Sequence, residues 1–274
     1  MKDITAKDEA LAPVVAFLLL LVVVVSFISL LNAYYIPSLK QQEEVQHLKE
    51  VEEMFRSITG DIHSMEMLQR DSSLQRRISL GGGAVMLSPM TSSGTLRVEE
   101  TELLSLVITT QDTPEVSMNI TTVSISYAPI GNFWVEQGYV WEQGLVNVTK
   151  GSKSTWLEHT TSTNAEEAKK RFMKTALMPQ LLTNNSLLVC SFSADSSFNF
   201  RSGNGMSGIN LSMIGETMHI PNVTAVKLDP ASTVDTETHA LLNDLITNWK
   251  KPSFEEGEAI DFTIEKYDIK MQVG

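Results

Sequence analysis

Hydrophobic positions follow three different patterns along this chain. From Leu11 to Leu31 they are continuous: LAPVVAFLLLLVVVVSFISLL holds no charged residue, and 16 of its 21 positions are Leu, Val, Ile or Phe. As a helix rising about 1.5 Å per residue, the segment is roughly 31 Å long, close to the thickness of a bilayer's hydrocarbon core. Apolar residues on every side suit a helix surrounded by lipid or by other apolar helices. Two alternatives fit less well. A core helix of a soluble domain would need covering on all sides, and nothing else in the chain supplies that much apolar surface. A secretory signal has an apolar region of about 7–15 residues and ends at a small-x-small site; cleavage after Ala33 would put Leu31 where a small residue is required. Asn32, Tyr34 and Tyr35 then mark an interface, where amphipathic rings sit at headgroup level.

The second pattern has the helical period. Pro37 predicts a kink or short break, because it lacks an N–H and its ring clashes with the preceding turn. Beyond it Leu48, Val51, Phe55, Ile58, Ile62 and Met65 fall at three- and four-residue steps, with Glu and Lys on the other faces. This amphipathic neck either packs on the domain that follows or pairs with copies of itself; its heptads are too few for a coiled coil.

The third pattern, beyond Leu74, has period two. Val116, Met118 and Ile120 alternate with polar residues, then Val123, Ile125 and Tyr127 continue in the opposite phase, as a bulge or bend produces. YVWEQGLVNVT reads as two strands around a turn at Gln143-Gly144. LLVCSFSA and FNFR are further strands. So is the tail, where Ile260, Phe262 and Ile264 give way to Tyr267, Ile269, Met271 and Val273 in shifted phase. Two short helices interrupt the sheet. Thr163-Asn164-Ala165-Glu166 has capping-box spacing before AEEAKKRFMKTAL, and Ser232-Thr233-Val234-Asp235 has it before the stripe Leu241, Leu242, Leu245, Ile246 and Trp249, which Pro252 ends.

Composition narrows the function. The 274 residues carry 33 acidic and 21 basic side chains, a net charge of −12. A nucleic-acid partner is not expected, since neutralising phosphates takes a basic stripe. One cysteine, Cys190, excludes an intrachain disulfide and a thiolate-rich zinc site, and reads as a buried structural thiol. Gly203-Asn204-Gly205-Met206-Ser207-Gly208 matches the dinucleotide fingerprint, but GINLSMIGETMHI after it is strand-like, so it reads as a loop. Gly81-Gly82-Gly83 reads as a flexible joint between neck and β-domain. Glu158-His159 lies in a polar, loop-like stretch, and His47 and His63 are too far apart to share a metal. No nucleophile-base set and no calcium loop stands out, so neither catalysis nor a cofactor is expected.

The stretch AKDEALAPVVAFLLLLVVVV resembles the class III leader of archaeal type IV pilins and archaellin-like proteins: a short charged tail, a small residue, and an apolar-Ala-Pro-Val start to a long hydrophobic helix. Asp8-Glu9 stand where archaellins usually place a basic residue. IPSLKQQEEVQHLKEVEEMFRSI, ISLGGG, LSPMTSSGTL and ISYAPIGNFWVEQGYVWEQGLV follow in an order similar to that of membrane-anchored surface proteins of haloarchaea and methanogens. The likeness touches much of residues 8–146. It implies prepilin peptidase as a processing partner, cutting between Ala10 and Leu11, and membrane lipid with a homo-oligomer or surface filament as the other partners.

Asn-x-Ser/Thr sequons at Asn119, Asn147, Asn184, Asn210 and Asn222 all lie beyond residue 100, a modest excess over the roughly two or three expected by chance. They suit a glycosylated outer face. Asn147 reads as the most accessible, Asn222 next and Asn119 least. Lys2 and Lys7 are balanced by Lys40 and Lys49, so charge leaves orientation open; a short inner tail and an outer C-terminal domain fit the sequons. The expected fold is α+β and mainly β: leader or cytoplasmic tail (1–10), single-pass transmembrane helix (11–36), helical neck (37–73), and an antiparallel, sandwich-like extracellular domain with short helices (74–274). The function expected is that of a pilin-like structural protein. An anchored module binding a glycan or envelope protein is the alternative.

Overall fold

A computed structural model describes residues 5–85, 88–111, 115–157, 164–254 and 259–274, with side chains from Pro13 onward. A helical run opens the chain in three pieces: α1 (Thr5–Leu30), a π-turn (Leu31–Tyr35) and α2 (Ile36–Leu68). The expected break at Pro37 takes this form. Pro37 has no N–H for the Ala33 carbonyl and its ring crowds that carbonyl. The wider turn just before it, closed by the Ile36 N–H on the Leu31 carbonyl, absorbs the mismatch and lets the helix continue.

The remainder is mainly β. In chain order it comprises β1 (Ser72–Ser79), β2 (Ser93–Thr110), β3 (Val116–Ile130), β4 (Gly138–Glu142), β5 (Leu145–Lys150), β6 (Lys153–Trp156), α3 (Ala165–Phe172) with a π-turn to Leu177, β7 (Gln180–Thr183), β8 (Ser186–Ala194), β9 (Phe200–Gly203), β10 (Met206–Pro230), α4 (Thr236–Thr247) and β11 (Ile260–Val273). Among the described residues the eleven strands belong to one hydrogen-bonded sheet, in the order β6-β5-β4-β3-β2-β10-β11-β8-β7. β1 adds to the start of β10, and β9 to the start of β2. The pairing is antiparallel as expected, except that β11 runs parallel to β8. The sheet also curls: the Thr121 N–H of β3 donates to Ser191 Oγ of β8 (3.1 Å), and the Thr121 hydroxyl donates to the Phe192 carbonyl (2.6 Å).

The phase slip in β3 has its cause in the neighbouring strand. Glu102 pairs with Thr121 and Leu104 with Ile120, so Leu103 is an extra residue in β2, and Thr122 and Val123, just past the bulge, are both buried. The slip in β11 is different. Its register with β10 is unbroken from Ile209 to Ile220, yet Phe262 and Ile264 are buried at one end, and Ile269, Met271 and Val273 at the other. Opposite faces of one ribbon meet the core at its two ends, which the twist of a long strand pair allows.

The neck stripe packs on its own chain. Leu48, Val51, Phe55, Ile58, Ile62 and Met65 are all buried in one core with β-strand residues such as Ile125, Trp141 and Phe192. Trp141 is fully buried and donates its indole N–H to Thr59 Oγ1 (2.9 Å) on α2. Phe172 packs edge-on to Trp141, with ring centroids 5.6 Å apart, and Asp61 accepts both Arg76 donors (2.7 and 2.6 Å). The hairpin at Gln143-Gly144 is a two-residue turn with φ of 48° and 81°, as the tightest antiparallel connections require.

Three expectations are corrected. Helix α3 is capped by Asn164, whose side chain accepts from the Glu166 N–H (2.8 Å); Thr163 lies outside the described residues. Helix α4 is capped by Asp235, accepting from the Thr238 N–H (3.0 Å), so it starts three residues later than a box opening at Ser232. Each helix starts at the residue whose side chain meets a free N–H, not at the first residue with the right spacing. Gly81-Gly82-Gly83 is no flexible joint. A Cβ on Gly81 would stand 2.0 Å from the Ser92 carbonyl oxygen, and one on Gly82 2.9 Å from His47 Cβ; the Ser92 N–H donates to Gly82 O (2.9 Å). Two backbone segments and α2 meet there too closely for side chains.

Candidate membrane and assembly surface

Helix α1 is the one helix among the described residues long and apolar enough to cross a membrane. Its large side chains from Val14 to Leu30 are 46% to 67% exposed, and they point in every direction. Asn32 returns its amide to the Ile28 carbonyl (3.1 Å), so it hides its polarity locally. Tyr34 and Tyr35 are exposed at the π-turn. Ala10 and Leu11 fall inside α1, and their side chains lie outside the described residues.

Just beyond the tyrosines, the inner face of α2 is polar. Lys40 and Glu44 are buried two turns and one turn before the apolar stripe starts at Leu48, and His47 is buried directly before it. Lys40 donates to the Met90 carbonyl (3.1 Å) and stands 4.4 Å over the Phe133 ring. Glu44, 1% exposed, accepts from the Trp134 N–H (3.1 Å), while its other oxygen has no protein partner. His47 Nε2 lies 2.7 Å from the Ser79 carbonyl, which only accepts; Nε2 therefore carries the proton and Nδ1 faces inward without a partner. The Tyr127 hydroxyl donates to Leu80 O (3.1 Å), and its pKa is pushed up by burial and by the charge of Glu44. These contacts lock the loops 81–85, 88–92 and 131–137 onto the start of α2. A hydrophobic-pattern search misses Lys40, Glu44 and His47, because they read as part of a solvated face. The signal that finds them is spacing: they continue the stripe of Leu48 and Val51 backwards at helical steps.

The sequons fall in unlike surroundings. Asn184 is exposed in the turn between β7 and β8, and Asn222 is exposed at φ 55° where β10 shifts register. Asn119 is exposed on β3. Asn147 is half-buried in β5, between Val140 of β4 and Trp156 of β6. Asn210 is half-buried between Gln75 and Gln272, with its amide oxygen enclosed. The order of accessibility expected from sequence is thus reversed for Asn147, because the exposed chain after it, from Lys153, forms strand β6 and covers its edge.

The other motifs stand apart from this surface or serve structure. Gly203 and Met206 end one strand and begin the next, so the glycine-rich segment is a strand connection and opens no helix. Glu158 and His159 lie outside the described residues. Cys190 lines a cavity of about 390 Å³ with His63, Glu66 and Tyr267, and burial, with the Glu66 charge, pushes its thiol pKa up to about 12. A thiol held in that state is no nucleophile at neutral pH. A second cavity, about 620 Å³, lies beside α3 and α4, with Lys174, Lys250, Gln180, Trp249 and the Lys170–Asp244 ion pair in its lining. Among the described residues no three His, Cys, Asp or Glu side chains gather as metal ligands. No protein-family model matches the chain, and no curated protein or solved structure does either.

Proposed function

We propose that this is a membrane-anchored surface protein of the pilin-like kind. Helix α1 sits in the bilayer, or in the helical core of a filament, and displays a β-rich, sandwich-like domain on the outside. The observation that carries the reading is the pairing of two helices in one run: α1 exposes apolar side chains all round, while α2, continuous with it, is clamped in the β-domain core. Such a run transmits position from lipid to domain without a free joint. Insertion of α1 is favourable by several kcal/mol, at a few tenths per apolar residue near the bilayer centre. The resemblance of AKDEALAPVV to a class III leader supplies the processing step, with Ala10 as the small residue before the cut and Leu11 as the new N-terminus.

The experiment is N-terminal sequencing and sedimentation of the protein from its native membranes, with protease shaving of intact cells. A mature chain starting at Leu11 in a sedimenting polymer is the expected result. An intact Met1–Ala10 removes the pilin-like reading and leaves a plain anchor. A domain digested only after lysis places it inside the cell, and both readings fail. On the outer surface, sugar belongs on Asn184, Asn222 and Asn119 ahead of Asn147 and Asn210, since a glycan needs solvent on its side.

The second reading is a non-polymerising anchored module that binds a glycan or an envelope protein. The 620 Å³ cavity favours it: Lys174 and Lys250 gather there with Trp249, beside the Lys170–Asp244 ion pair, in a protein of net charge −12. It gains if the mature protein sediments as a monomer.

A further inference from the structure

We propose that the β-domain makes a second, independent contact with the bilayer, through an apolar-tipped foot around the base of α2 whose tips are Met90, Phe133 and Trp134. The proposal rests on the anchor reading of α1 and adds to it.

Three chain segments meet at this end of the domain. Lys40 ties the Met90 segment and Phe133 to α2, and Glu44 ties Trp134. The β9–β10 connection joins them, with Asn204 donating to Thr91 Oγ1 (2.9 Å) and Leu80 donating to the Gly205 carbonyl (2.9 Å). Large apolar side chains are left in the open: Met90 is 69% exposed, Phe133 44% and Trp134 43%, with the two aromatic rings 5.6 Å apart. Ile130 and Met206 are exposed at the same end. Scattered exposed hydrophobics need no explanation, whereas a clustered patch marks an interaction surface.

Two further observations identify the occupant as lipid. The first is position. Lys40 and Glu44 are five and nine residues beyond Tyr35, or about 7.5 and 13.5 Å along the helix. A tilt of about 20°, usual for membrane helices, lowers one side of the domain toward the headgroups. The second is charge. The chain is one-fifth charged and strongly acidic, yet 78–85, 88–96, 126–135 and 202–208, which supply this end, contain no Asp, Glu, Lys or Arg. Glu136, beside the loop, and Glu43, on the outer face of α2, are exposed nearby; the tips themselves carry Phe and Trp, side chains suited to the interface. The buried Lys40 and Glu44 act from behind as positioning residues, holding the loops without presenting charge to the lipid.

The foot also gives the domain an orientation. A single helix leaves rotation and tilt free, and a second contact to one side removes both freedoms.

The test uses the full chain in vesicles of mixed zwitterionic and anionic phospholipid. Cys190 is replaced by Ala, and an environment-sensitive fluorophore is placed on a single new cysteine: Phe133→Cys, Met90→Cys, Leu20→Cys or Ile214→Cys. Ile214 is exposed near Asp71, beyond the far end of α2, and serves as the aqueous reference. Met90→Cys keeps the question open to measurement if Phe133→Cys disturbs the loop, because Met90 contributes only its carbonyl to the Lys40 contact. The expected result is blue-shifted emission, quenched by lipid-borne bromine, at positions 20, 133 and 90, and water-like emission at 214. A lipid-like signal at 20 with water-like signals at both 133 and 90 overturns the foot and leaves the anchor standing. A water-like signal at 20 overturns the anchor itself, and the foot with it.

Discussion

Helices α1 and α2 belong to one helical run, yet they meet opposite surroundings. In α1 every large apolar side chain from Val14 to Leu30 is exposed; in α2 Leu48, Val51, Phe55, Ile58 and Ile62 are buried while Glu43, Lys49, Glu50 and Glu53 face out. The more hydrophobic half contributes nothing to the core, and the charged half is central to it. Periodicity explains the difference. A one-sided stripe is satisfied by one sheet, whereas an all-round apolar surface needs a medium on every side. Hydrophobic content alone would rank the two segments the wrong way for the stability of the β-domain.

The largest test of this contrast is truncation. A chain starting at Leu74 loses Val51, Phe55, Ile58 and Ile62, all fully buried, at about 1.5–3 kcal/mol each. That sum is comparable to the whole stability of a typical domain, about 5–15 kcal/mol. Residues 74–274 should therefore give no cooperative thermal transition, whereas 38–274, lacking all of α1, should melt cooperatively. A cooperative melt of the shorter chain would show that α2 is dispensable.

Arginine at both Leu20 and Val23 comes next. Each costs about 2.5–3.5 kcal/mol at the centre of a membrane helix, enough together to prevent insertion. Carbonate extraction should move the doubly substituted chain to the soluble fraction, while its β-domain melts at the parent temperature. Phe55→Ala is the converse. It should destabilise the domain by about 3–5 kcal/mol in a denaturant titration and leave membrane partition unchanged. If either substitution moves both readouts, α1 and α2 are not separate in function.

The smallest effect tests a helix cap far from either helix. Asp235→Ala should cost about 1 kcal/mol at neutral pH. The Thr238 hydrogen bonds hold the Asp235 carboxyl below its ordinary pKa. A lowered folded pKa means that the carboxylate stabilises above the unfolded value and loses this contribution as pH falls through the folded value. The gap between parent and variant should thus narrow in acid. A gap that is constant from neutral pH to acid would assign the effect to propensity and not to the charge.

Much of this architecture is legible in the residues. The stripe from Leu48 to Met65, the turn at Gln143-Gly144, the strands around Cys190 and in the tail, and the docking face of α4 stand where pattern places them. The candidate surface is legible only in part. Its apolar helix announces itself, but the exposure of Phe133 and Trp134 does not, since an uncharged run such as 116–135 reads equally well as core.

The sequence by itself determined what depends on neighbours a few residues away: helical and strand periods, the tight hairpin, the length of the apolar helix. Tertiary structure alone decided what depends on distant partners. It chose the β-domain as the cover for α2, buried Lys40, Glu44 and His47 at the end of an apolar stripe, and packed Gly81-Gly82-Gly83 against Ser92 and His47. It put the bulge at Leu103 in β2 when the slip showed in β3, and half-covered Asn147 with β6. The physical reason is the same in each case. Local pattern fixes which face of an element is apolar, but the identity of the surface opposite comes from long-range pairing, and that surface decides which groups are desolvated and which stay free.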